Sequence, residues 1–203
     1  MKEFLFQLTV KSFILTKMKN NMSIEKILID MDGVTANWID TILNHPLCEK
    51  FDCGDQLNKH PTRQLIIQQI YSEYPNFFRD LPYIEEFTPI MQVIIESNIP
   101  YAWVTATGDV HNSPVAVGKQ KQEWLQYHIV ERFGLDNEQE FHLILPNDCK
   151  SKFANHETLL IDDFWYNIDK FSQAGGQTHQ ISEDGYFGEH EATLLLSKLM
   201  KGD

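Results

Sequence analysis

Cysteine is scarce in this sequence, and the few cysteines form no pattern typical of a metal site or a disulfide framework. The 203 residues include only three, Cys48, Cys53 and Cys149, and no two are spaced as C-x-x-C. An odd, dispersed set of thiols argues against a zinc site or disulfides and fits a reducing compartment. We therefore expect a cytoplasmic location.

Long apolar runs are also missing. No stretch approaches the roughly 20 apolar residues that a membrane-spanning helix requires, so no membrane partner is expected. Residues 1–21 are basic and moderately apolar, but Lys11 interrupts them and no small-residue cleavage site follows. Because Met22 offers a second start, we interpret residues 1–21 as a mis-assigned start or a loose N-terminal extension. A weak targeting peptide is the less favoured interpretation.

Positive charge is the third shortage. Lys and Arg number 17 against 29 Asp and Glu, which gives a formal net charge of −12. Because nucleic-acid binding is driven by basic patches, this balance argues against a nucleic-acid polymer as partner. It is compatible with a small phosphorylated substrate, which needs only a local site and a cation.

Short apolar runs alternate with helical patterns along the chain. This alternation predicts an α/β fold with a doubly wound, mainly parallel sheet. Residues 38–86 are too many for a simple crossover between two strands, so we expect them to form a small helical cap on a core made of 22–37 and 87–203. The main strand predictions are 27–29, 100–109, 141–145 and 158–163.

Polar side chains follow three of these predicted strands. A single Asp at a strand end is usually a turn or a helix cap. Here, however, parallel packing would gather several carboxylates at one edge of the sheet, where they repel each other. Mg²⁺ prefers oxygen ligands and would relieve this repulsion together with a phosphoryl group. The residues concerned are Asp30 and Asp32, Thr105 and Thr107, and Asp162 and Asp163.

These motifs resemble those of the haloacid dehalogenase (HAD) superfamily. The order is a D-x-D in "DMDGV", a Thr in "AWVT", a Lys, and an acidic pair in "LLIDD". Within the superfamily, "IDMDGVTANW", "YPNFFRDL" and "LLIDDFWYNI" look most like the 5'(3')-deoxyribonucleotidase family. The resemblance runs from about Lys26 to Phe171, and it implies a HAD-like core with a cap and a Mg²⁺-dependent phosphatase activity.

The resemblance also implies a role for each motif. Asp30 would be the nucleophile that forms an aspartyl-phosphate, and Asp32 would protonate the leaving oxygen and then activate water. Mg²⁺ would be held by Asp30, the backbone carbonyl of Asp32 and Asp162. Asp163 would be a water-mediated ligand, and the Thr105 hydroxyl would hold a phosphoryl oxygen.

The active-site lysine is ambiguous in the sequence, because "CKSKFA" contains both Lys150 and Lys152. Lys152 stands ten residues before Asp162, which is the spacing expected from the resemblance. We therefore prefer Lys152 as the residue that neutralises the nucleophile and the phosphate, and interpret Lys150 as a solvated surface charge.

Contacts to the substrate are predicted from both the core and the cap. Gly33 allows a tight turn after the D-x-D motif. Ala106 stands where the family often has Ser, so Thr107 or the backbone would take over the contacts to the phosphate. Three aromatic residues at or near the ends of the predicted cap are candidates for stacking on a nucleobase, although such residues are more often part of a core: Trp38, Phe77 and Phe78.

The sequence thus predicts a Mg²⁺-dependent phosphomonoesterase that acts on a small phosphorylated metabolite, with a (deoxy)nucleoside monophosphate favoured. The same chemistry on a phosphosugar or other ester is one alternative. A phospho-accepting signalling domain and a non-catalytic phosphate-binding relative are two others. The preference for ribose or deoxyribose, and for 5' or 3' esters, stays open, and a homodimer is compatible with the sequence.

Overall fold

The computed structural model describes residues 24–50, 63–107, 114–135, 139–145, 148–181 and 189–201. The predicted extension 1–21 and Cys53 lie outside these ranges. The strands are β1 (Lys26–Ile29), β2 (Tyr101–Ala106), β3 (Phe141–Ile144), β4 (Thr158–Asp162) and β5 (Gln177–Gln180). The helices are α1 (Trp38–Leu43), α2 (Pro46–Lys50), α3 (Arg63–Glu73), α4 (Thr88–Ser97), α5 (Pro114–Leu125), α6 (Trp165–Gln173) and α7 (Glu189–Lys201).

The five strands form one sheet in the order β3-β2-β1-β4-β5, and every described pair is parallel. Helices connect and flank the strands, which confirms the predicted α/β fold with a doubly wound parallel sheet. The first strand is central because the chain winds outward from it in both directions. Within the described ranges, no helix is both long and apolar enough to cross a membrane.

Strand β1 is buried on both faces, which explains its unbroken apolar sequence. Ile27 and Ile29 pack with Trp103 into the larger hydrophobic cluster on one face of the sheet. Leu28 packs on the other face with Val104 and Phe171. The core therefore fixes β1 in place and leaves its polar carboxyl end at the edge of the sheet.

The segment predicted as a cap contains α1, α2 and α3. The chain leaves the core after Ala36 and returns at Tyr83, where these two residues form an isolated antiparallel bridge. The backbone N–H of Asn37 donates to Pro82 O at 2.8 Å, which closes the base of the insert. Ile66 of α3 is buried in the same hydrophobic cluster as β1, so the insert packs directly on the core.

Helix α5 crosses from β2 toward β3 and continues as a π-helical turn over Gln126–Glu131. Trp124 near its end is fully buried, and its Nε1–H donates to Leu81 O at 2.7 Å. This hydrogen bond joins α5 to the irregular segment in which the insert returns to the core. Among the described cysteines, Cys48 is buried and Cys149 is exposed.

Candidate active site

Three carboxylates meet at the carboxyl edge of the sheet. Parallel pairing aligns Ile29 with Ile161, so Asp30 after β1 lies level with Asp162 at the end of β4. The Asp30 N–H donates to Ile161 O at 3.0 Å. Asp30, Asp162 and Asp163 are all buried, and each offers an oxygen within 4.8 Å of the others. Within the described part of the chain, these residues form a cluster suited to a metal ion.

Gly33 provides the space that this cluster occupies. Its φ of +85° lies in the left-handed region, which side chains rarely adopt. A Cβ atom at this position would lie 2.8 Å from Cγ of Asp163, too close for any real contact. The glycine therefore lets the turn after β1 pass against the Asp163 carboxylate, and its contact with a substrate stays a prediction.

The lysine that contacts the carboxylate cluster is Lys150, whereas Lys152, which the sequence favoured, pairs with Asp148 away from it. Lys150 is buried, and its Nζ lies 2.8 Å from Oδ1 of Asp30 and 2.6 Å from Oδ2 of Asp162. Lys152 is exposed and pairs with Asp148. Both lysines belong to the 3₁₀ turn Lys150–Phe153, in which residues two apart point in different directions, so only Lys150 reaches the carboxylates.

Burial and mutual repulsion perturb the ionisation of the cluster. Burial raises the pKa of Asp163 to about 8, and the carboxylates of Asp30 and Asp162 add to this rise. Burial also raises the pKa of Asp162, to about 6, against the lowering effect of Lys150. Burial works to lower the pKa of Lys150, but Asp30 and Asp162 hold it above its ordinary value. The cluster thus carries more negative charge than one lysine compensates.

The two members of the acidic pair have different surroundings. Asp162 accepts hydrogen bonds from Lys150, from the Phe164 N–H at 2.9 Å and from Asn167 Nδ2 at 3.1 Å. Asp163 instead lines a cavity that opens in front of the cluster. This distribution favours Asp163 over Asp162 as the direct ligand of an ion, the reverse of the assignment made from the sequence.

Asp32 is held by a lysine that the sequence analysis missed. Lys121 of α5 is only 1% exposed, and its Nζ donates to Asp32 Oδ2 at 2.5 Å, to Thr105 Oγ1 at 2.7 Å and to Ala106 O at 2.9 Å. All three donors of the ammonium group are therefore used. The other oxygen of Asp32, Oδ1, is buried without a hydrogen-bond partner among the described residues.

The sequence contained a signal for Lys121. It lies four residues after Val117 and three before Trp124, in the apolar stripe of α5 that packs on the core. A charged residue in such a stripe is expensive to bury unless it meets an opposite charge. Its partner was not readable, because Asp32 lies 89 residues away in the chain.

We expect Lys121→Met to lower kcat by about 10- to 100-fold, because Asp32 would lose the contact that orients it, and small misplacements of catalytic groups are costly. KM should change little, since Lys121 is buried behind Asp32. Steady-state kinetics of phosphate release would measure both constants. The matched control is Lys119→Met on the same helix, whose side chain is 78% exposed. An unchanged kcat in Lys121→Met would contradict this role.

A cavity of about 630 Å³ opens in front of the cluster, within the range typical of small-molecule sites. Of the residues predicted from the sequence, seven line it: Asp30, Asp32, Trp38, Phe78, Ala106, Thr107 and Asp163. Thr107 already donates its backbone N–H to Ile144 O at 3.0 Å. Trp38 donates its Nε1–H to the hydroxyl of Tyr71 at 2.8 Å, which fixes the indole at the wall.

Phe77 is not among the residues that line the cavity. It is buried, and its ring packs 4.8 Å from Tyr71 and 5.3 Å from Phe78. The structure thus separates Phe77, a core residue of the insert, from Trp38 and Phe78, whose stacking on a base stays a prediction. The Phe78 ring also lies 5.0 Å from Lys121 Nζ.

Sequence reasoning also missed other residues that line the cavity, among them Arg63, Phe164 and Trp165. Arg63 begins α3, and its Nε is buried without a hydrogen-bond partner among the described residues. Phe164 and Trp165 directly follow the acidic pair and remain exposed. The sequence placed these two in a motif, "LLIDDFWYNI", but only the cavity associates them with the site.

The donor set fits a hard divalent cation. Three buried carboxylates face one lysine, and burial together with their mutual repulsion raises the pKa values of Asp162 and Asp163. Oxygen-only ligands favour Mg²⁺ or a similar ion over zinc. Asp30 and Asp163 would hold it directly.

No protein-family model and no curated protein matches the sequence. Among solved structures, a HAD-family hydrolase from Deinococcus radiodurans, with bound phosphate and sodium, has a TM-score of 0.52 at 12% identity, over 90% of this chain and 100% of that one. A HAD-superfamily hydrolase from Ehrlichia chaffeensis has a TM-score of 0.46 at 11% identity, over 89% and 97%. The parallel sheet and the first likeness show that this chain has the α/β fold of HAD-family hydrolases.

Proposed function

We propose that the protein is a Mg²⁺-dependent phosphomonoesterase that works through an aspartyl-phosphate. The observation that carries the proposal is the arrangement of two differently held acids at one cavity. Asp30 belongs to a buried carboxylate cluster with Lys150, whereas Asp32 is tied separately to Lys121. One carboxylate is thereby set up as a nucleophile and the other as a proton carrier.

Asp30 would attack the phosphorus atom through Oδ2. Its Oδ1 accepts the Met31 N–H at 2.8 Å and pairs with Lys150, so Oδ2 is the less engaged oxygen. The new Oδ2–P bond forms as the ester P–O bond breaks, and the leaving oxygen departs on the opposite side. Lys150 would spread the charge that develops on the phosphoryl oxygens.

Asp32 would carry the proton in both half-reactions. Its Oδ2 is fixed by Lys121, and its Oδ1 has no partner among the described residues, so Oδ1 is the atom that would exchange a proton. It would protonate the leaving alcohol and then take a proton from the water that cleaves the aspartyl-phosphate. Thr105 accepts from Lys121 but is fully buried and does not line the cavity, so its contact with a phosphoryl oxygen stays a prediction. A bound Mg²⁺ would supply charge neutralisation for the phosphoryl group.

A nucleoside monophosphate is the substrate class that we favour. Support comes from the motifs that resemble the deoxyribonucleotidase family and from the aromatic lining of the cavity. The HAD-family hydrolase from Deinococcus radiodurans has the same fold and binds phosphate. A phospho-accepting signalling domain is less well supported: in flavodoxin-like receivers β1 lies between β2 and β3, whereas here it lies between β2 and β4. Cytoplasmic location and a homodimer stay predictions.

Phosphate release is the direct test. It would be measured with Mg²⁺ and again with EDTA on deoxyribonucleotides, ribonucleotides and sugar phosphates, with the Asp30→Asn variant as the control for contaminating phosphatases. We expect metal-dependent release that is greatest on nucleotides. Greater release from sugar phosphates would keep the mechanism and replace the substrate class. A long-lived phosphoenzyme without release would favour the signalling alternative, and no reaction would refute the proposal.

Metal binding has a readout that does not depend on turnover. The raised pKa values of Asp162, about 6, and Asp163, about 8, mean that the metal-free folded protein binds more protons than the unfolded chain between about pH 4 and 8. Its stability should therefore fall as the pH rises through this window. Mg²⁺ replaces the protons, so its stabilisation should be larger at pH 8 than at pH 6.

We expect Mg²⁺ at roughly 100 times its dissociation constant to raise the melting temperature by about 5–10 °C at pH 8. Thermal unfolding followed by circular dichroism would measure the shift. The Asp163→Asn variant should lose most of it, whereas Asp169→Asn, an exposed substitution on α6, should retain it. An equal shift in Asp163→Asn would contradict binding at this cluster.

A further inference from the structure

Three consecutive aromatic side chains remain exposed next to the carboxylate cluster. Phe164 is 47% exposed, Trp165 58% and Tyr166 46%. The Phe164 ring centroid lies 6.1 Å from those of Trp165 and Tyr166, and the Trp165 and Tyr166 centroids lie 5.9 Å apart. The three rings therefore form a continuous surface. Exposed aromatic groups of this size mark binding surfaces more often than structural ones, because leaving them in water forgoes their burial energy.

Only two of the three belong to the cavity. Phe164 and Trp165 line it together with Trp38 and Phe78, whereas Tyr166 is not among the lining residues. Lys170 Nζ lies over the Tyr166 ring at 5.6 Å, so this ring has a partner of its own. The cavity therefore continues without a break from the carboxylates Asp30 and Asp163 to an aromatic wall.

This wall is rigidly attached to the cluster. The backbone N–H of Phe164 donates to Asp162 Oδ1 at 2.9 Å, and Asn167 donates from Nδ2 to both oxygens of Asp162. The Asn167 N–H in turn donates to Phe164 O at 3.0 Å. The segment that carries Phe164 and Trp165 is thus fixed by the same side chain that pairs with Lys150. A ligand would meet a preorganised aromatic surface at a set distance from the phosphoryl position.

We propose that Phe164 and Trp165 form the binding site for the leaving group, and that the leaving group is an alcohol that carries a flat aromatic ring. The inference rests on the proposed function, because it places the phosphoryl group at the Asp30 end of the same cavity. An aromatic ring is the occupant that fits: the wall is aromatic, partly open to solvent and neutral, and stacking on such a wall favours planar rings over saturated ones. The recognition of the leaving group then lies on the core after the acidic pair, rather than on Phe77.

Binding of non-hydrolysable probes tests this site without turnover. Calorimetry in Mg²⁺ would compare benzylphosphonate, cyclohexylmethylphosphonate of similar size, and methylphosphonate. We expect wild type to bind benzylphosphonate more tightly than the other two. Trp165→Ala should lower the affinity for benzylphosphonate by about 10-fold, as expected for the loss of one stacking partner. The affinity for methylphosphonate should not change.

Tyr166→Ala is the matched control, since Tyr166 is equally exposed but lies outside the cavity lining. It should leave the affinity for all three probes as in wild type. Equal loss for benzylphosphonate in Tyr166→Ala and Trp165→Ala, no loss in Trp165→Ala, or no preference for the aromatic probe in wild type would overturn the site. Failure of all three probes to bind would overturn it as well.

The outcomes separate this inference from the proposed function. Loss of aromatic preference in Trp165→Ala, with no ester hydrolysed, would keep the aromatic binding site and refute the proposed function. Conversely, wild type and Trp165→Ala could release phosphate from every aromatic ester with the same kinetics. That result would keep the phosphatase and refute the site. A change in sedimentation behaviour of Trp165→Ala without a change in probe binding would assign the pair to a protein contact and refute the proposal.

Discussion

Replacing Asp30 with Asn is expected to lower phosphate release by about 10³-fold or more, because an amide oxygen is a poor nucleophile and no other group is placed to replace it. The fold should persist. Asn keeps the shape of the side chain and an oxygen that accepts the Met31 N–H, and it removes one of three mutually repelling charges. The measurements are steady-state release and thermal unfolding of the same preparation.

The matched control for this change is Asp169→Asn, an exposed position on α6 where the same substitution should leave activity unaltered. Acid quenching after exposure to substrate adds a second readout, since wild type should trap covalent phosphate and Asp30→Asn should not. Full activity or normal phosphate trapping in Asp30→Asn would show that the nucleophile is another residue. Loss of activity together with loss of folding would direct the test to Asp30→Glu.

Replacing Lys150 with Met is expected to lower phosphate release by about 10²- to 10³-fold, because a preorganised positive charge next to the transferred phosphoryl group would be lost. The change should also destabilise the metal-free fold. It leaves Asp30 and Asp162 buried without their cation, and breaking such a pair costs about 3–5 kcal/mol. Thermal unfolding with and without Mg²⁺ would separate the two effects, since the ion should restore part of the stability.

The neighbouring lysine provides the control. Lys152 pairs with Asp148 at the surface, where such pairs contribute about 0–1 kcal/mol, so Lys152→Met should keep wild-type activity within about a factor of two. The opposite pattern, with Lys152→Met inactive and Lys150→Met active, would restore the assignment made from the sequence. Equal effects of both changes would show that neither lysine acts through the cluster.

The acidic residues that the structure brings together are those that the local sequence pattern placed at strand ends. Asp30 and Asp162 each end an apolar run, and parallel strands must bring their ends to one edge of the sheet. Their meeting within 4.8 Å therefore required no knowledge of side-chain geometry. The strand and helix positions were predictable for the same reason, because burial imposes a period on the sequence that can be read directly.

The sequence was less able to decide which of two nearby residues of the same type reaches the site. Lys150 and Lys152 have the same chemistry and lie two residues apart, and the spacing to Asp162 favoured Lys152, whereas Lys150 contacts the cluster. The direction in which each side chain points is set by the 3₁₀ turn, which the sequence did not reveal. Phe77 and Phe78 differ in the same way: one packs into the insert and the other reaches the cavity wall.

By itself, the sequence determined the α/β architecture, the insert after the first strand and the carboxylates at the edge of the sheet, because each follows from hydrophobic periodicity and strand direction. Only the tertiary structure decided which lysine neutralises the cluster, that Lys121 holds Asp32, and that Phe164 and Trp165 rather than Phe77 line the cavity. These features join residues far apart in the chain through contacts of a few ångströms, and such contacts arise from packing rather than from any local pattern.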